Sequence, residues 1–268
     1  MGEIEHRYGL LSELSGVEET RNAARQRNLP FRAPFTWLAK GWRDLFHKPW
    51  LSLGYGIAIY AVTMISLFLL FALGWDYIAF PALAGCLIVG PVLAFGLYEK
   101  SRAIERGEEP TLTRMLFVQP RTGTHIFFMG LLLCLLMLLW NRAAVLLYAL
   151  FFGVRPFPGL DQIAYVIAAT PEGVGLVVVG SLVGALFAAF AFAISVFAVP
   201  MMLDRRIDTL TAMAVSFVTV WNNLLPMITW GFIVSGLLLL SLATGLVGLI
   251  VVFPLLGHAT WHGYKALT

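Results

Sequence analysis

The sequence is poor in charged residues and in cysteine. Only 12% of its 268 residues are Asp, Glu, Lys or Arg and 59% are hydrophobic, whereas roughly a quarter of a soluble domain is charged. This shortage of charge excludes a soluble globular domain and assigns the apolar surplus to contact with lipid. The two cysteines, Cys86 and Cys134, are too few for a disulfide framework or a zinc ribbon.

The motifs of common enzyme classes are missing as well. The polar stretches contain no phosphate-binding glycine-rich loop, nucleophile elbow, HExxH pair or paired carboxylates. None of the fifteen Asp and Glu residues falls in the middle of an apolar segment, where proton-coupled transporters usually place one. We therefore predict a protein that is not an enzyme. Its basic residues adjoin apolar segments, which favours lipid headgroups as the partner and argues against nucleic acid.

Six apolar segments can each cross most of a membrane core of ~30 Å at about 1.5 Å per residue. They are residues 51–74, 77–98, 125–140, 174–199, 224–242 and 245–264. If the N-terminus is cytoplasmic, sixteen of the eighteen Lys and Arg residues lie inside, and only Arg142 and Arg155 face outward. The sequence thus predicts an all-α, multi-pass membrane domain over residues 33–268, preceded by a partly disordered cytoplasmic tail, residues 1–32. Both termini are predicted to be cytoplasmic.

The inner stretches are predicted to form amphipathic interfacial helices. One includes residues 38–49, a second lies at 111–118 and a third at 209–221, the last opened by Asp208 as N-cap. We expect the apolar side of the first helix to carry Leu38, Trp42, Leu45 and Pro49, and its polar side to carry Lys40, Arg43, Asp44 and His47. The predicted interfacial anchors are Trp37, Trp42, Trp50, Trp221 and Trp261.

A proline recurs in the cytoplasmic half of every second span, at Pro91, Pro200 and Pro254. Proline removes one helical hydrogen bond and bends the helix. Together with the interfacial helices, this pattern predicts a threefold repeat of interfacial helix, span and span. The kinks could line a cavity, as broken helices do in transporters, or they could be ordinary bends.

Two stretches resemble a known family. They are the run WLAKGWRDL at 37–45 with Pro49 and SLGYG at 52–56, and the run GLYE at 96–99 with Arg102, Glu105, Gly107 and Pro110. Over residues 34–265 the chain resembles an uncharacterised family of bacterial six-span integral membrane proteins, sometimes labelled a cytochrome c oxidase subunit. It is more distantly similar to the membrane domains of some glycerophosphodiester phosphodiesterases. The resemblance implies a bacterial inner-membrane location and carries no catalytic motif.

The histidines give two alternatives. His258 and His262 are four residues apart and share one helix face, so they could bind a metal or flank a haem, with His125 nearby. The alternative is anchoring or helix–helix hydrogen bonding, which the neighbouring Trp261 and Tyr264 favour. We predict no cofactor, with haem or metal at the histidines as the alternative.

Three further features are candidates for contacts. Asn141 and Arg142 interrupt an apolar run near the outer interface, where they could meet an anionic group or where Arg142 could snorkel. Gly180, Gly184 and Ala188 follow one another at four-residue spacing and predict close packing of helices, either inside the bundle or at a dimer seam. The charged segment after Tyr98 is expected to be a solvated helical extension in which Glu99 pairs with Arg102.

These observations predict a non-enzymatic accessory or scaffold protein that engages lipid, or a larger membrane complex, through its cytoplasmic interfacial helices. A homo-oligomer is an open possibility. One alternative is a permease for a small apolar or amphiphilic solute, with a pathway framed by the proline kinks. The other is a redox accessory subunit that binds haem or metal.

Overall fold

The computed structural model describes residues 29–117, 124–153, 165 and 169–267, and the regular elements in this part of the chain are all helical. Most of the predicted N-terminal tail lies outside the described residues. The eleven described α-helices are α1 (Ala33–Phe46), α2 (Pro49–Ala72), α3 (Ala79–Leu93), α4 (Phe95–Glu105), α5 (Leu112–Leu116), α6 (Thr124–Phe152), α7 (Pro171–Ser195), α8 (Ala198–Asp204), α9 (Thr209–Asn222), α10 (Leu224–Ala243) and α11 (Leu249–Lys265).

Four described helical stretches are long and apolar enough to cross a membrane. They are Pro49–Ala72, His125–Phe152, Pro171–Asp204 and Leu224–Ala243. The other two predicted spans correspond to α3, with 15 residues, and α11, with 17. These rise only about 22 and 25 Å at 1.5 Å per residue, less than a ~30 Å core. An all-helical, multi-pass membrane protein is therefore confirmed, whereas six spans and a threefold repeat stay predictions.

The chain divides into two compact units. Unit 1 comprises Met1–Tyr60, Pro91–Met129 and Ala193–Thr268, and unit 2 comprises Ala61–Gly90 and Gly130–Phe192. Of the twelve Lys and Arg residues in the described part of the chain, eleven belong to unit 1 and only Arg142 belongs to unit 2. For these twelve residues, the grouping agrees with the predicted topology: the eleven in unit 1 were predicted to lie inside and Arg142 to lie outside.

Unit 1 has a core in which helix backbones come into direct contact. A Cβ atom at Gly41 of α1 would lie 2.6 Å from the backbone nitrogen of Ala259 in α11. A Cβ at Gly263 would lie 3.0 Å from the ring of Trp37. Trp37 in turn packs edge to face on Trp230 at 5.9 Å between ring centroids. These glycines let α1 lie flat on α11, which brings the polar groups of both helices within hydrogen-bonding distance.

Unit 2 has a smaller core around Trp140 of α6. The Trp140 Nε1 donates to the carbonyl oxygen of Pro81 at 3.0 Å, and its ring lies 5.7 Å from that of Phe187. A Cβ at Gly184 would lie 3.0 Å from the Trp140 ring, so this member of the predicted small-residue stripe does pack closely. A Cβ at Gly180 would have no atom within 4 Å and Ala188 is exposed, so the packing of these two members stays a prediction.

Two of the three prolines lie beside a break in their helix. Near Pro91, α3 and α4 are separated at Ala94, and Tyr55 Oη donates to the released carbonyl of Leu93 at 2.7 Å. Pro254 instead lies inside the continuous helix α11.

The break near Pro200 separates α7 from α8 at residues 196–197. There Ser216 Oγ accepts from the N–H of Phe197 at 3.2 Å and donates to the carbonyl of Ala193 at 2.8 Å. A side-chain hydroxyl is thus inserted into what would have been the helical bond between these two residues.

The interfacial segments form helices of different lengths. α1 and α9 have 14 residues each, whereas α5 has five. Asp208 is the N-cap of α9, because its Oδ1 accepts from the N–H of Thr211 at 3.0 Å, which confirms the prediction.

Candidate functional site

The ammonium group of Lys100 in α4 is completely buried, with 0% of the residue exposed. Its Nζ donates to the carbonyl oxygens of Asp44 and Lys48, at 3.0 and 3.3 Å, and to Ser52 Oγ at 2.6 Å. The two carbonyls belong to the last turn of α1 and to the corner that follows it, where each also accepts from one backbone N–H, that of His47 at 3.2 Å and that of Leu51 at 3.1 Å. Lys100 therefore caps the C-terminal end of α1 from a different helix, with a positive charge at the negative end of the helix dipole.

A histidine continues this contact. His258 of α11 is also 0% exposed, and both of its ring nitrogens have partners. Its Nε2 lies 2.8 Å from Ser52 Oγ, and its Nδ1 lies 2.8 Å from Ser101 Oγ. Ser52 and Ser101 are themselves fully buried, so the imidazole bridges two hydroxyls in the interior of unit 1.

The chain of contacts ends at Asp44. Ser101 Oγ donates to Asp44 Oδ2 at 2.6 Å, and His262 Nε2 lies 2.8 Å from the same oxygen. Asp44 is buried on the side of α1 that packs against α11, so the prediction that it lies on the exposed polar side with Lys40 and Arg43 is wrong. The reason is the rotation of α1, which turns Trp37, Gly41 and Asp44 together toward α11.

The number of available protons fixes the direction of each hydrogen bond. An ammonium has three N–H groups and no acceptor, and all three of Lys100 are engaged, so Ser52 accepts from Lys100. Ser52 has one proton, which it donates to His258 Nε2. The neutral ring then carries its proton on Nδ1 and donates it to Ser101, which donates its own proton to Asp44. We call this path from Lys100 through Ser52, His258 and Ser101 to Asp44 the buried chain.

Burial and charge shift the acid–base properties of its two ends. Burial lowers the pKa of Lys100 to about 8, against an upward effect of the Asp44 charge. Burial acts to raise the pKa of Asp44, but the hydrogen bonds from His262 and Ser101 outweigh it and hold this pKa below its ordinary value. The buried chain therefore connects an ammonium whose charged form is destabilised by burial to a carboxylate whose charged form is stabilised by hydrogen bonds.

A second set of charges lies beside the buried chain. Arg102 Nη2 pairs with Glu99 Oε2 at 2.5 Å, which confirms that predicted pair, and Arg102 Nη1 donates to the carbonyl of Leu203 at 2.6 Å. Arg114 completes the set at 3.8 Å from Glu99. The expectation of a solvated extension is wrong, because Glu99 and Arg102 are buried. Burial raises the pKa of Glu99 in spite of the neighbouring arginines Arg102, Arg114 and Arg106.

The outer side of α1 has a different composition from its buried side. Its exposed aromatic residues are Phe35, Trp42 and Phe46, and its exposed basic residues include Arg32, Lys40 and Arg43. At about 100° per residue, the buried residues occupy an arc of about 120°, the aromatic ones about 40° and the basic ones about 80°. The expected apolar side was therefore misplaced, since Trp42 points away from the core while Leu45 is buried.

The predicted anchors fall into two groups. Trp42, Trp50 and Trp221 are exposed, as contact with headgroups requires. Trp37 and Trp261 are buried, so protein surrounds them in place of the headgroup layer. Trp261 Nε1 donates to Glu105 Oε2 at 3.1 Å.

The structure brings together two of the three histidines considered for metal or haem, because His258 and His262 both reach Asp44, the first through Ser101. The imidazole nitrogens of His258 are occupied by serine hydroxyls, so a metal would have to displace one of them. Among the described residues, no group of three or more His, Cys, Asp or Glu residues could hold a metal ion. The carbonyl of His125 accepts from Thr209 Oγ1 at 2.7 Å.

The remaining candidates have simple surroundings. Asn141 Nδ2 donates to the carbonyl of Met137 on its own helix at 2.9 Å, and Arg142 is exposed. Pro200 and Pro254 are buried and Pro91 is half-buried.

Sequence reasoning missed Asp44, Ser52, Lys100 and Ser101. One signal could have found Asp44: Trp37, Gly41 and Asp44 follow at helical spacing, and a glycine between a tryptophan and a carboxylate marks a face that another helix approaches. Lys100 and Ser101 stand in a run of charged residues, which gives no indication of burial.

Residues 79–204, which include α3 to α8, match the model of a family described as predicted integral membrane protein (DUF2189). This match confirms the predicted resemblance to an uncharacterised family of integral membrane proteins. The distant similarity to glycerophosphodiester phosphodiesterase membrane domains stays a prediction. No curated protein and no solved structure matches the chain.

Proposed function

We propose that this protein is a non-enzymatic accessory protein of the bacterial inner membrane, which engages anionic lipid headgroups through α1. The three faces of α1 carry the proposal. A helix that rests on protein with one side and exposes aromatic residues next to basic ones suits the boundary between acyl chains and headgroups. In this arrangement the protein recruits anionic lipid to the place where it contacts partners.

The comparison of α1 with α9 supports a specific position for each. The exposed residues of α9 include Leu210, Phe217 and Trp221, and the helix contains no charged residue. It therefore suits the acyl region, whereas α1 with Lys40 and Arg43 suits the level of the phosphates.

The distribution of charge supports the choice of anionic lipid. Eleven of the twelve described Lys and Arg residues belong to unit 1, and basic residues next to membrane segments are typical of the cytoplasmic side. Each basic residue near an anionic membrane surface contributes about 1 kcal/mol to the attraction. The exposed Arg43 should thus account for about a fivefold change in apparent affinity.

The test is a titration of the detergent-solubilised protein with short-chain phosphatidylglycerol and, separately, phosphatidylcholine, with bound lipid counted by native mass spectrometry. We expect the protein to prefer phosphatidylglycerol, and we expect Arg43→Gln to weaken this binding about fivefold. Arg142→Gln is the matched control, because it removes one exposed charge from unit 2. Trp42→Ala should weaken binding of both lipids, since it removes apolar contact.

Equal binding of the two lipids by the unmodified protein would contradict the proposal. So would an equal loss in Arg43→Gln and Arg142→Gln, because the charge would then act through the net charge of the protein and not through α1. The cytoplasmic location of both termini is tested separately, with reporter fusions that are active on only one side of the membrane.

A permease is the second candidate, and the helix breaks at Ala94 and at residues 196–197 favour it, because transporters build substrate sites from broken helices. The backbone groups released at the breaks are bonded to Tyr55 and Ser216, so transport would require these bonds to exchange. Efflux of amphiphilic dyes from proteoliposomes tests this candidate. Tyr55→Phe should change the efflux rate if the break takes part in it. No observation favours the redox alternative.

A further inference from the structure

We propose that the buried chain is a proton relay, through which the ammonium of Lys100 exchanges its proton with the carboxylate of Asp44, which lies beside His262 near the surface. Nothing in the lipid proposal requires this activity. It depends on the geometry of five side chains from α1, α2, α4 and α11.

The contacts form an unbroken path. The four consecutive distances from Lys100 Nζ to Asp44 Oδ2 are 2.6, 2.8, 2.8 and 2.6 Å. Each of the three intermediate groups, two hydroxyls and an imidazole, both donates and accepts. Such groups can pass a proton on without moving as a whole.

The path is closed to water at one end and opens at the other. Lys100, Ser52, His258 and Ser101 are each 0% exposed. The side chain of His262, which contacts Asp44 Oδ2, is 19% exposed. The buried chain is therefore the route from the ammonium to the surface that the hydrogen bonds of the described residues provide.

The transfer is balanced in bonds and protons. One N–H bond of Lys100 breaks and an O–H bond forms on Ser52, whose previous proton forms an N–H bond at His258 Nε2. The His258 Nδ1–H bond breaks, Ser101 gains that proton, and the previous proton of Ser101 moves to Asp44 Oδ2. The ammonium becomes an amine and the carboxylate becomes a carboxylic acid, with no change in net charge and no electron transferred.

All of these hydrogen bonds survive the transfer, and the four along the buried chain reverse their direction. The Lys100 amine keeps two N–H groups for the carbonyls of Asp44 and Lys48 and accepts from Ser52. Ser52 then accepts from His258 Nε2, Nδ1 accepts from Ser101, and Ser101 accepts from the acid. Because both states leave no polar group of the path without a partner, neither is penalised by burial of an unsatisfied group. A purely structural network needs a full set of hydrogen bonds in only one of the two protonation states.

The experiment measures the rate at which the Lys100 ammonium hydrogens exchange with water, by NMR of protein labelled with ¹⁵N-lysine. The chain contains four lysines, and Lys100→Arg assigns the signal. Ser52→Ala and Ser101→Ala each interrupt the path. We expect each to slow exchange on the order of tenfold or more, because exchange must then wait for local opening of unit 1. Ser52→Thr keeps the hydroxyl and should restore most of the rate.

The sign of the effect separates a relay from a structural network. If the serines only stabilise unit 1, their removal makes opening easier and exchange becomes faster. Ser241→Ala is the matched control, since Ser241 is equally buried and its hydroxyl donates to the carbonyl of Leu237 in its own helix at 3.0 Å. Unchanged or faster exchange in both Ser52→Ala and Ser101→Ala would overturn the proposal.

A second measurement needs no variant that interrupts the path. The ¹⁵N shifts of the His258 ring in the unmodified protein should show a proton on Nδ1 and none on Nε2. The opposite tautomer, or a doubly protonated ring, would reverse or break the assigned path and would also overturn the proposal.

Discussion

Replacing Gly41 by alanine tests the contact that brings α1 and α11 together. The added Cβ would lie 2.6 Å from the backbone nitrogen of Ala259 and 2.9 Å from its Cα and Cβ. Ordinary contacts between such atoms are about 3.5–4.0 Å, so the helices would have to separate by about 1 Å. The obstacle is backbone, which cannot rotate away as a long side chain can.

The expected magnitude follows from two opposing effects. Overpacking of a tight contact typically costs about 1–3 kcal/mol, whereas alanine favours the helix over glycine by up to about 1 kcal/mol. We therefore expect a net loss of up to about 2 kcal/mol in the free energy of unfolding. The control is Gly54→Ala in α2, where a Cβ meets no atom within 4 Å. It should be neutral or stabilising, so that the difference between the two variants isolates the clash.

The assay is reversible unfolding in mixed micelles, followed by tryptophan fluorescence and circular dichroism. A separation of about 1 Å would also stretch the contact between His262 Nε2 and Asp44 Oδ2, now 2.8 Å, beyond hydrogen-bonding distance. The ring ¹⁵N signals of His262 should therefore shift in Gly41→Ala and not in Gly54→Ala. Equal stability of the two variants would refute the close packing of α1 on α11.

Four other predictions concern charge, a helix break and capping. Asp44→Asn should lower the pKa of Lys100 below about 8, since the carboxylate acts to raise it; a ¹⁵N-lysine titration checks this, and a rise would contradict it. The pKa of Lys100 is lower in the folded state than in the unfolded state, so the unfolded state binds more protons between about pH 8 and 10.5 and the free energy of unfolding should increase over this range. Lys100→Met should flatten this dependence, which denaturation measured at several pH values checks. Ser216→Ala should destabilise the protein by about 1–3 kcal/mol, because the buried N–H of Phe197 loses its partner. Asp208→Ala should destabilise it by about 1 kcal/mol, because α9 loses its N-cap. Unfolding transitions unchanged from those of the unmodified protein would refute both.

Local features of the structure were predictable where neighbours in sequence decide them. The Asp208 cap needs only an N–H three residues ahead, and the pair of Glu99 with Arg102 needs only one helical turn. The placement of His258 and His262 on one face of α11 is likewise decided by their four-residue spacing. Their partners were not predictable, because Ser52 and Ser101 lie 206 and 157 residues from His258 along the chain.

The rotation of α1 shows the same limit. The sequence allows two apolar arcs on this helix, one with Trp37 and Gly41 and the other with Phe35 and Trp42. Periodicity alone favours neither. The complementary glycines and small residues of α11 decide that the first arc is buried, and Asp44 is carried inward with it.

The sequence by itself determined that this protein is a multi-pass helical membrane protein, because the length of its apolar segments and the scarcity of charge leave lipid as the only suitable solvent for most of its surface. It also predicts that the basic residues collect on one side of the membrane. Only the tertiary structure decided which charged groups leave water. The buried chain forms because backbones in contact at Gly41 and Ala259 place donors and acceptors from distant parts of the chain within 3 Å, and burial of such groups is tolerated only when every one has a partner.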